Sequence, residues 1–237
     1  MQLSVAGCLS EDQNRLLAVI VEWLAGRMAA SVEESATGEA DLVYQCGLPT
    51  GEQIDQWLPL VAPVMSAPRY TDQPIYWSDV IVRPGTTASS LRDLAGSRIA
   101  YNHQESFSGW VALQLELRRL GISPELYTWI ETGAHLHSKA AVESGHADLA
   151  AIDSMVLALS GWEGMIVSSL GPWPAPPLSL RRHRHHLAPG LTEALTAMHT
   201  DLEGSRRLAS FGVARLAPVE AESYRQLARL TASLRAA

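Results

Sequence analysis

The sequence predicts an α/β fold in two lobes, with mostly parallel sheets covered by helices and a ligand cleft between the lobes. From Val80 to Ser168, short apolar runs alternate with helical patterns, which is how parallel strands joined by crossover helices read. The first 75 residues open a β-α unit but have too few strands to close a domain, and the last 50 read as helices with no sheet to cover. The economical solution joins the two ends into one lobe, residues 1–78 plus 178–237, with residues 79–177 inserted as the second. A chain of 237 residues with 47% hydrophobic and 18% charged residues can bury a core in each.

The elements follow in order. Leu3–Gly7 reads as a strand, and the spacing of Leu16, Ile20, Trp23 and Leu24 makes 11–30 a helix. Asp41–Gly47 reads as another strand, with Thr50 as N-cap of a short helix after it. Prolines in 61–70, VAPVMSAPRY, mark that stretch as an extended edge segment. The alternation then runs through a strand at Val80–Val82, a helix from Ser89 or Ser90, a strand at Arg98–Tyr101 and a helix from Ser108. It continues with a strand at Tyr127–Ile130, a helix from His135, a strand at Leu149–Ile152, a helix from Asp153 and a strand at Met165–Ser168. The proline-rich 171–190, GPWPAPPLSLRRHRHHLAPG, breaks the rhythm and reads as a crossing between lobes. The last helix puts Tyr224, Leu227, Leu230 and Leu234 on one face, expected to pack on its own lobe, which leaves the chain a monomer.

Composition excludes several functions. A net charge of -7 with no basic run longer than RRHRHH argues against nucleic acid as partner. In that run His183, His185 and His186 stand among arginines that repel a cation, so no metal is expected, and the segment reads as solvated and basic. Cys8 and Cys46 read as buried free thiols. No apolar stretch of about 18 residues is available to enter a membrane. Val5–Cys8 imitates a lipoprotein cleavage site without the basic start and apolar core of a leader. The chain as written is therefore expected in the cytoplasm, or in the periplasm if a leader has been removed.

Three strand ends carry polar groups in the same topological position: 102–109 (NHQESFSG), 131–138 (ETGAHLHS) and Asp153-Ser154. Parallel strands bring such ends to one edge, so Ser106, Ser108, His135 and Asp153 are candidates to surround one ligand. The turn before Trp110 is the most informative, because free helix amides and hydroxyls make a ready anion site. Plain capping would also account for the serines and for Asp153, and a capping or surface role for His135. The pattern argues against a serine hydrolase, since ESFSG lacks the glycine two residues ahead of the nucleophile.

The run YWSDVIVRPGTTASSLRDLAGSRIAYNHQESFSGW, followed by TGAHLHSKAAVESGHADLAAIDS, resembles the phosphate/phosphite/phosphonate substrate-binding proteins of ABC transporters, the PhnD-like group within the type II periplasmic-binding-protein fold. The resemblance covers residues 75–170 well and extends to the closing helices, with Gly212 followed by a turn at Pro218. It implies Ser106, Ser108 and Gly109 at the anion, His135 beside it, Asp153 at the next strand end, and Tyr76 or Trp77 as an aromatic wall. Phe107 stands where that family has a threonine, which removes one hydroxyl, adds a ring and shifts the expected ligand away from a fully ionised phosphonate. The implied function is capture of a small oxyanion by closure of two lobes, with a transporter permease as partner and no cofactor. A cytoplasmic enzyme on the same fold, resembling menaquinone-pathway lyases or dehydratases, would instead use His135 or Asp153 as acid or base.

Overall fold

The computed structural model of the protein describes residues 2–28, 31–36 and 38–236. The chain runs β1 (Gln2–Gly7), α1 (Glu11–Met28), β2 (Ser31–Glu34), β3 (Leu42–Tyr44), α2 (Gly47–Glu52), β4 (Trp57–Met65) and β5 (Ile75–Val82). It continues with β6 (Arg98–Tyr101), α3 (Ala112–Arg119), β7 (Thr128–Glu131), α4 (His135–Glu143), β8 (Leu149–Asp153), α5 (Ser154–Ser160) and β9 (Ile166–Pro174). Last come β10 (Leu178–Arg181), α6 (Ala188–Ala197), α7 (Leu202–Ala209), β11 (Val213–Pro218) and α8 (Ala221–Arg235). Of the predicted first helix, Ala29 and Ala30 lie outside the described residues.

The chain divides into two compact units. One gathers the chain up to Ile75 with Pro174–Arg229, and the other gathers Tyr76–Trp173 with the chain from Leu230 onward. The last turn of α8 therefore groups with the second unit, where Arg118 Nη2 donates to the Leu234 carbonyl at 2.8 Å.

The first unit holds a six-stranded sheet in the order β11-β4-β10-β3-β1-β2. β1 pairs in parallel with β2 and β3, whereas β10 runs antiparallel to β3 and β4, and β11 antiparallel to β4. The sheet is thus mixed rather than mostly parallel. β4 is an interior strand and not the edge its prolines suggested. Pairing skips from Val61 to Pro59 opposite Leu178 and Ser179, a bulge at Leu60 beside the proline whose missing N–H cannot join the ladder. The segment Val213–Pro218, read as a turn among helices, is in fact the edge strand beside β4. Thr50 does not start α2 but sits inside it, its hydroxyl donating back to the Cys46 carbonyl at 3.2 Å. A Cβ at Gly51 would overlap the Tyr224 carbonyl oxygen, so only glycine lets α2 approach α8 this closely.

The run 181–186 is less solvated than its charge implies. Arg181 lies over the Trp57 ring at 4.0 Å and donates to the Ala40 and Gly38 carbonyls. Arg182 reaches the Ile54 carbonyl and Arg184 the Gln2 carbonyl, so these guanidiniums close open backbone acceptors. Both cysteines are free, but Cys8 is exposed and Cys46 only partly covered, because both lie beyond the Gly7–Tyr44 pair that ends their strands.

The second unit holds a five-stranded sheet in the order β7-β6-β8-β5-β9. β6 runs parallel to β7 and β8, and β5 antiparallel to β8. Central β8 is buried from Leu149 to Asp153, and Ala150 and Ile152 pack with Ile81, Ala100, Val142 and Val156. The helix expected from Ser89 or Ser90 is a single 3-10 turn, Leu91–Leu94. Asp93 Oδ2 takes hydrogen bonds from both serine hydroxyls there, at 3.1 and 2.9 Å.

Candidate functional site

Because β6, β7 and β8 are parallel, their carboxyl ends share one edge of the second sheet. Antiparallel β5 brings its beginning, Tyr76 to Ser78, to the same edge. There the helix after β6 opens at Phe107 with a π-helical turn, Phe107–Val111, that runs on into α3. Trp110 and Val111 both donate to the Ser106 carbonyl, and such wide turns are frequent at functional sites.

Ser106 is the N-cap. Its hydroxyl accepts the Gly109 amide at 3.0 Å, while the amides of Phe107 and Ser108 precede any intrahelical acceptor. Ser108 Oγ lies 2.9 Å from His135 Nε2, and the Ser108 carbonyl accepts from the Ser78 hydroxyl. A Cβ at Gly109 would overlap Asn102 Oδ1 and stand 3.2 Å from His135 Cε1, so this glycine lets three strand-end groups crowd together. Phe107 is fully buried and meets Trp173 edge-on, with ring centroids 4.8 Å apart. Burying that ring stabilises the helix start by about 1.5–3 kcal/mol, which the threonine of the family pattern would not supply.

His135 opens α4. The loop before it is fixed to β6, with the Thr132 amide donating to the Tyr101 carbonyl at 2.8 Å and the Gly133 amide to Asn102 at 3.0 Å. Burial, reinforced by His103, pushes His135 down to about 4, so it is neutral at pH 7. Its Nδ1 has no hydrogen-bond partner and is out of reach of solvent. The Ser108–His135 pair thus lacks the third group that orients the base in a nucleophilic dyad.

Asp153 ends β8 and caps α5, its Oδ1 accepting the Met155 amide at 2.8 Å. It is 5% exposed and directly opposite Ser78, so both side chains project to one face of the sheet. Burial pushes its carboxyl up to about 7, with neighbouring Asp79 adding to the shift. Asp79 accepts the Ser169 hydroxyl at 2.6 Å.

The two aromatic candidates separate. Tyr76 is 2% exposed and alternates onto the same face as Ser78, whereas the Trp77 ring projects to the other face. The Trp77 amide is held by Ser154 Oγ at 3.0 Å. The edge therefore collects Ser106, Phe107, Ser108, Gly109, His135, Asp153 and Tyr76, and leaves the Trp77 side chain opposite. Sequence reasoning passed over Ser78, Asn102 and Trp173. Ser78 lay inside the quoted YWSDVIVR motif and Trp173 inside the proline-rich break, while Asn102 gave no signal beyond its place after a strand. A cavity of about 470 Å³ between α1, β1 and β2 contains none of these residues. Among the described residues no cluster of three or more His, Cys, Asp or Glu could hold a metal, and no helix is long and apolar enough to cross a membrane.

Solved structures share this fold along nearly the whole chain. PhnD1 from Prochlorococcus marinus, in complex with methylphosphonate, aligns with a TM-score of 0.78 at 13% identity, covering 99% of this chain and 98% of its own. A binding protein component of an ABC phosphonate transporter from Pseudomonas aeruginosa aligns at 0.79 and 14% identity, covering 99% and 87%. The alkanesulfonate-binding protein SsuA from Xanthomonas axonopodis pv. citri, bound to MOPS, aligns at 0.64 and 18% identity, covering 99% and 93%. No curated protein sequence matches the chain. The sequence profile described as "ABC transporter, phosphonate, periplasmic substrate-binding protein" matches residues 19–224, and the chain belongs to that family of substrate-binding proteins.

Proposed function

We propose that this chain captures a small oxyanion at the helix start Ser106–Gly109 and presents it to an ABC transporter permease in the periplasm. The observation that carries the reading is a helix N-terminus with two amides lacking intrahelical acceptors and a hydroxyl against a neutral histidine, all on one sheet edge. About half a unit of positive helix charge is aimed there. The ligands named for PhnD1 and SsuA, methylphosphonate and MOPS, are of the same oxyanion class.

The reading is tested by a thermal-shift series over phosphate, phosphite, methylphosphonate, methanesulfonate and small carboxylates. A ligand at a hundred times its Kd is expected to stabilise the protein by about 2.7 kcal/mol. Ser108→Trp, which fills the space over the helix start, is expected to abolish that gain in a protein that still unfolds cooperatively. Undiminished stabilisation of that variant would show the site to be elsewhere. Recovery of the ligand unchanged after incubation separates capture from catalysis by His135 or Asp153.

A further inference from the structure

We infer that the site binds its ligand as a monoanion, a tetrahedral oxyanion carrying one negative charge, held by neutral donors with the Asp153 carboxyl protonated and donating. This deepens the function proposed above and rests on it. The donors gathered at the edge are uncharged: helix amides, the hydroxyls of Ser106 and Ser108, and the His135 ring, with the Ser78 hydroxyl already given to the Ser108 carbonyl. Among the described residues no arginine or lysine acts on either His135 or Asp153; their charged neighbours are His103 and Asp79.

The arginines and lysine of Tyr76–Trp173 are engaged elsewhere, Arg92 on the Leu120 carbonyl among them. Arg98 and Arg83 sit at the opposite edge of the sheet on Asp148, at 3.0 and 3.7 Å. Lys139 on α4 is paired with Glu143 at 2.9 Å. On the helix after β6, Arg119 is paired with Glu116, and Arg118 is spent on the Leu234 carbonyl. His137 on α4 is exposed and bonded to the Thr132 carbonyl, the Tyr101 hydroxyl on β6 is tied to Glu131, and α5 carries no ionisable group.

A dianion would stand beside the buried Asp153 carboxyl, with Asp79 on the opposite face of the same strand pair adding to the negative field and, among the described residues of this unit, no arginine or lysine facing it. A monoanion needs only the helix end and the neutral donors. Asp153 takes the Met155 amide on Oδ1 and a second backbone amide, Val156, and when protonated its carboxyl O–H is a neutral donor beside Ser78 on the site's face. Sulfonates and singly protonated phosphonates share this chemistry.

Two calorimetric titrations across pH test the inference. Methylphosphonate affinity is expected to fall by up to about a hundredfold per pH unit once both the second ionisation of the ligand and that of Asp153 are passed, and by about tenfold per unit in Asp153→Asn, where only the ligand titrates. Methanesulfonate keeps its charge, so if it binds, its affinity is expected to fall only as Asp153 ionises, and Asp153→Asn is expected to remove that fall. Binding of methylphosphonate alone with the expected pH profile supports the inference and identifies a phosphonate source; binding of methanesulfonate with its expected profile identifies a sulfonate source. Methylphosphonate affinity that holds or rises as the dianion forms overturns the monoanion inference and leaves the capture site standing. No binding of either probe at any pH overturns the capture site itself, and the inference with it.

Discussion

The two edges of the second unit's sheet solve one problem in opposite ways. Where β6 and β8 begin and β5 ends, charges are present and matched. Asp148 accepts the Arg98 amide at 2.9 Å and its guanidinium at 3.1 and 3.0 Å, with Arg83 alongside. Where β6, β7 and β8 end, polar groups are buried without charged partners, and three of them, Asn102 Oδ1, His135 Nδ1 and Trp173 Nε1, have no hydrogen-bond partner at all. A closed ion pair has nothing left to offer a ligand. Buried polar atoms left unpaired cost stability, and a bound oxyanion with its protons and oxygens can repay part of that cost.

The largest expected effect falls at the unpaired edge. Gly109→Ala drives a methyl into Asn102 and His135 and is expected to cost about 2–4 kcal/mol and to abolish ligand stabilisation; denaturant unfolding with and without methylphosphonate checks both.

Next is the pH response. Folded Asp153 keeps its proton up to about 7, against 3.8 unfolded, so its contribution is full below the unfolded value and lost as pH rises through about 7. His135 works in the opposite sense: held near 4 instead of 6.5, it costs stability as pH falls from 6.5 toward 4. Asp153→Asn is expected to gain on the parent as pH rises through this window, by on the order of 2–4 kcal/mol above it, measured by urea denaturation at a series of pH values.

The paired edge responds less. Asp148→Asn breaks the ion pair but can still accept one hydrogen bond, so a loss of about 1–2 kcal/mol is expected, with ligand affinity unchanged. Arg98 holds the Asp148 carboxyl below its ordinary range, so this contribution is present above about pH 4 and disappears as acid protonates it. Arg83→Ala, removing a half-exposed partner at 3.7 Å, is expected to change stability by less than about 0.5 kcal/mol.

The strand-to-helix rhythm of the second unit was legible because each strand is short, apolar and followed by a helix start. Arg98–Tyr101 and the start of α4 at His135 coincide with their sequence reading. The first unit was harder, because what makes β4 interior and β11 a strand is pairing between segments about 150 residues apart, which local pattern does not record. The parallel reading failed for the same reason: β10 and β11 return antiparallel from the far end of the chain. At the candidate site, hydroxyls and strand ends were visible as residue types. The partnerships that give Ser78 and Asn102 their places depend on which strand lies beside which. Phe107 stood out as a departure from a family pattern, and its buried contact with Trp173 gives that departure a packing reason.

The prolines of β4 acquire a further role when the order of synthesis is considered. β4 lies between β10 and β11, so as residues 57–65 leave the ribosome neither neighbour exists; one side of an almost wholly apolar strand stays open until residue 178 is made and the other until residue 213. The inserted second unit has nearly all of its own chain in hand before either. Pro59 and Pro63 interrupt the donor pattern that another nascent chain would need to zip onto β4, so they guard a waiting strand against the wrong partner while the right ones are still being translated.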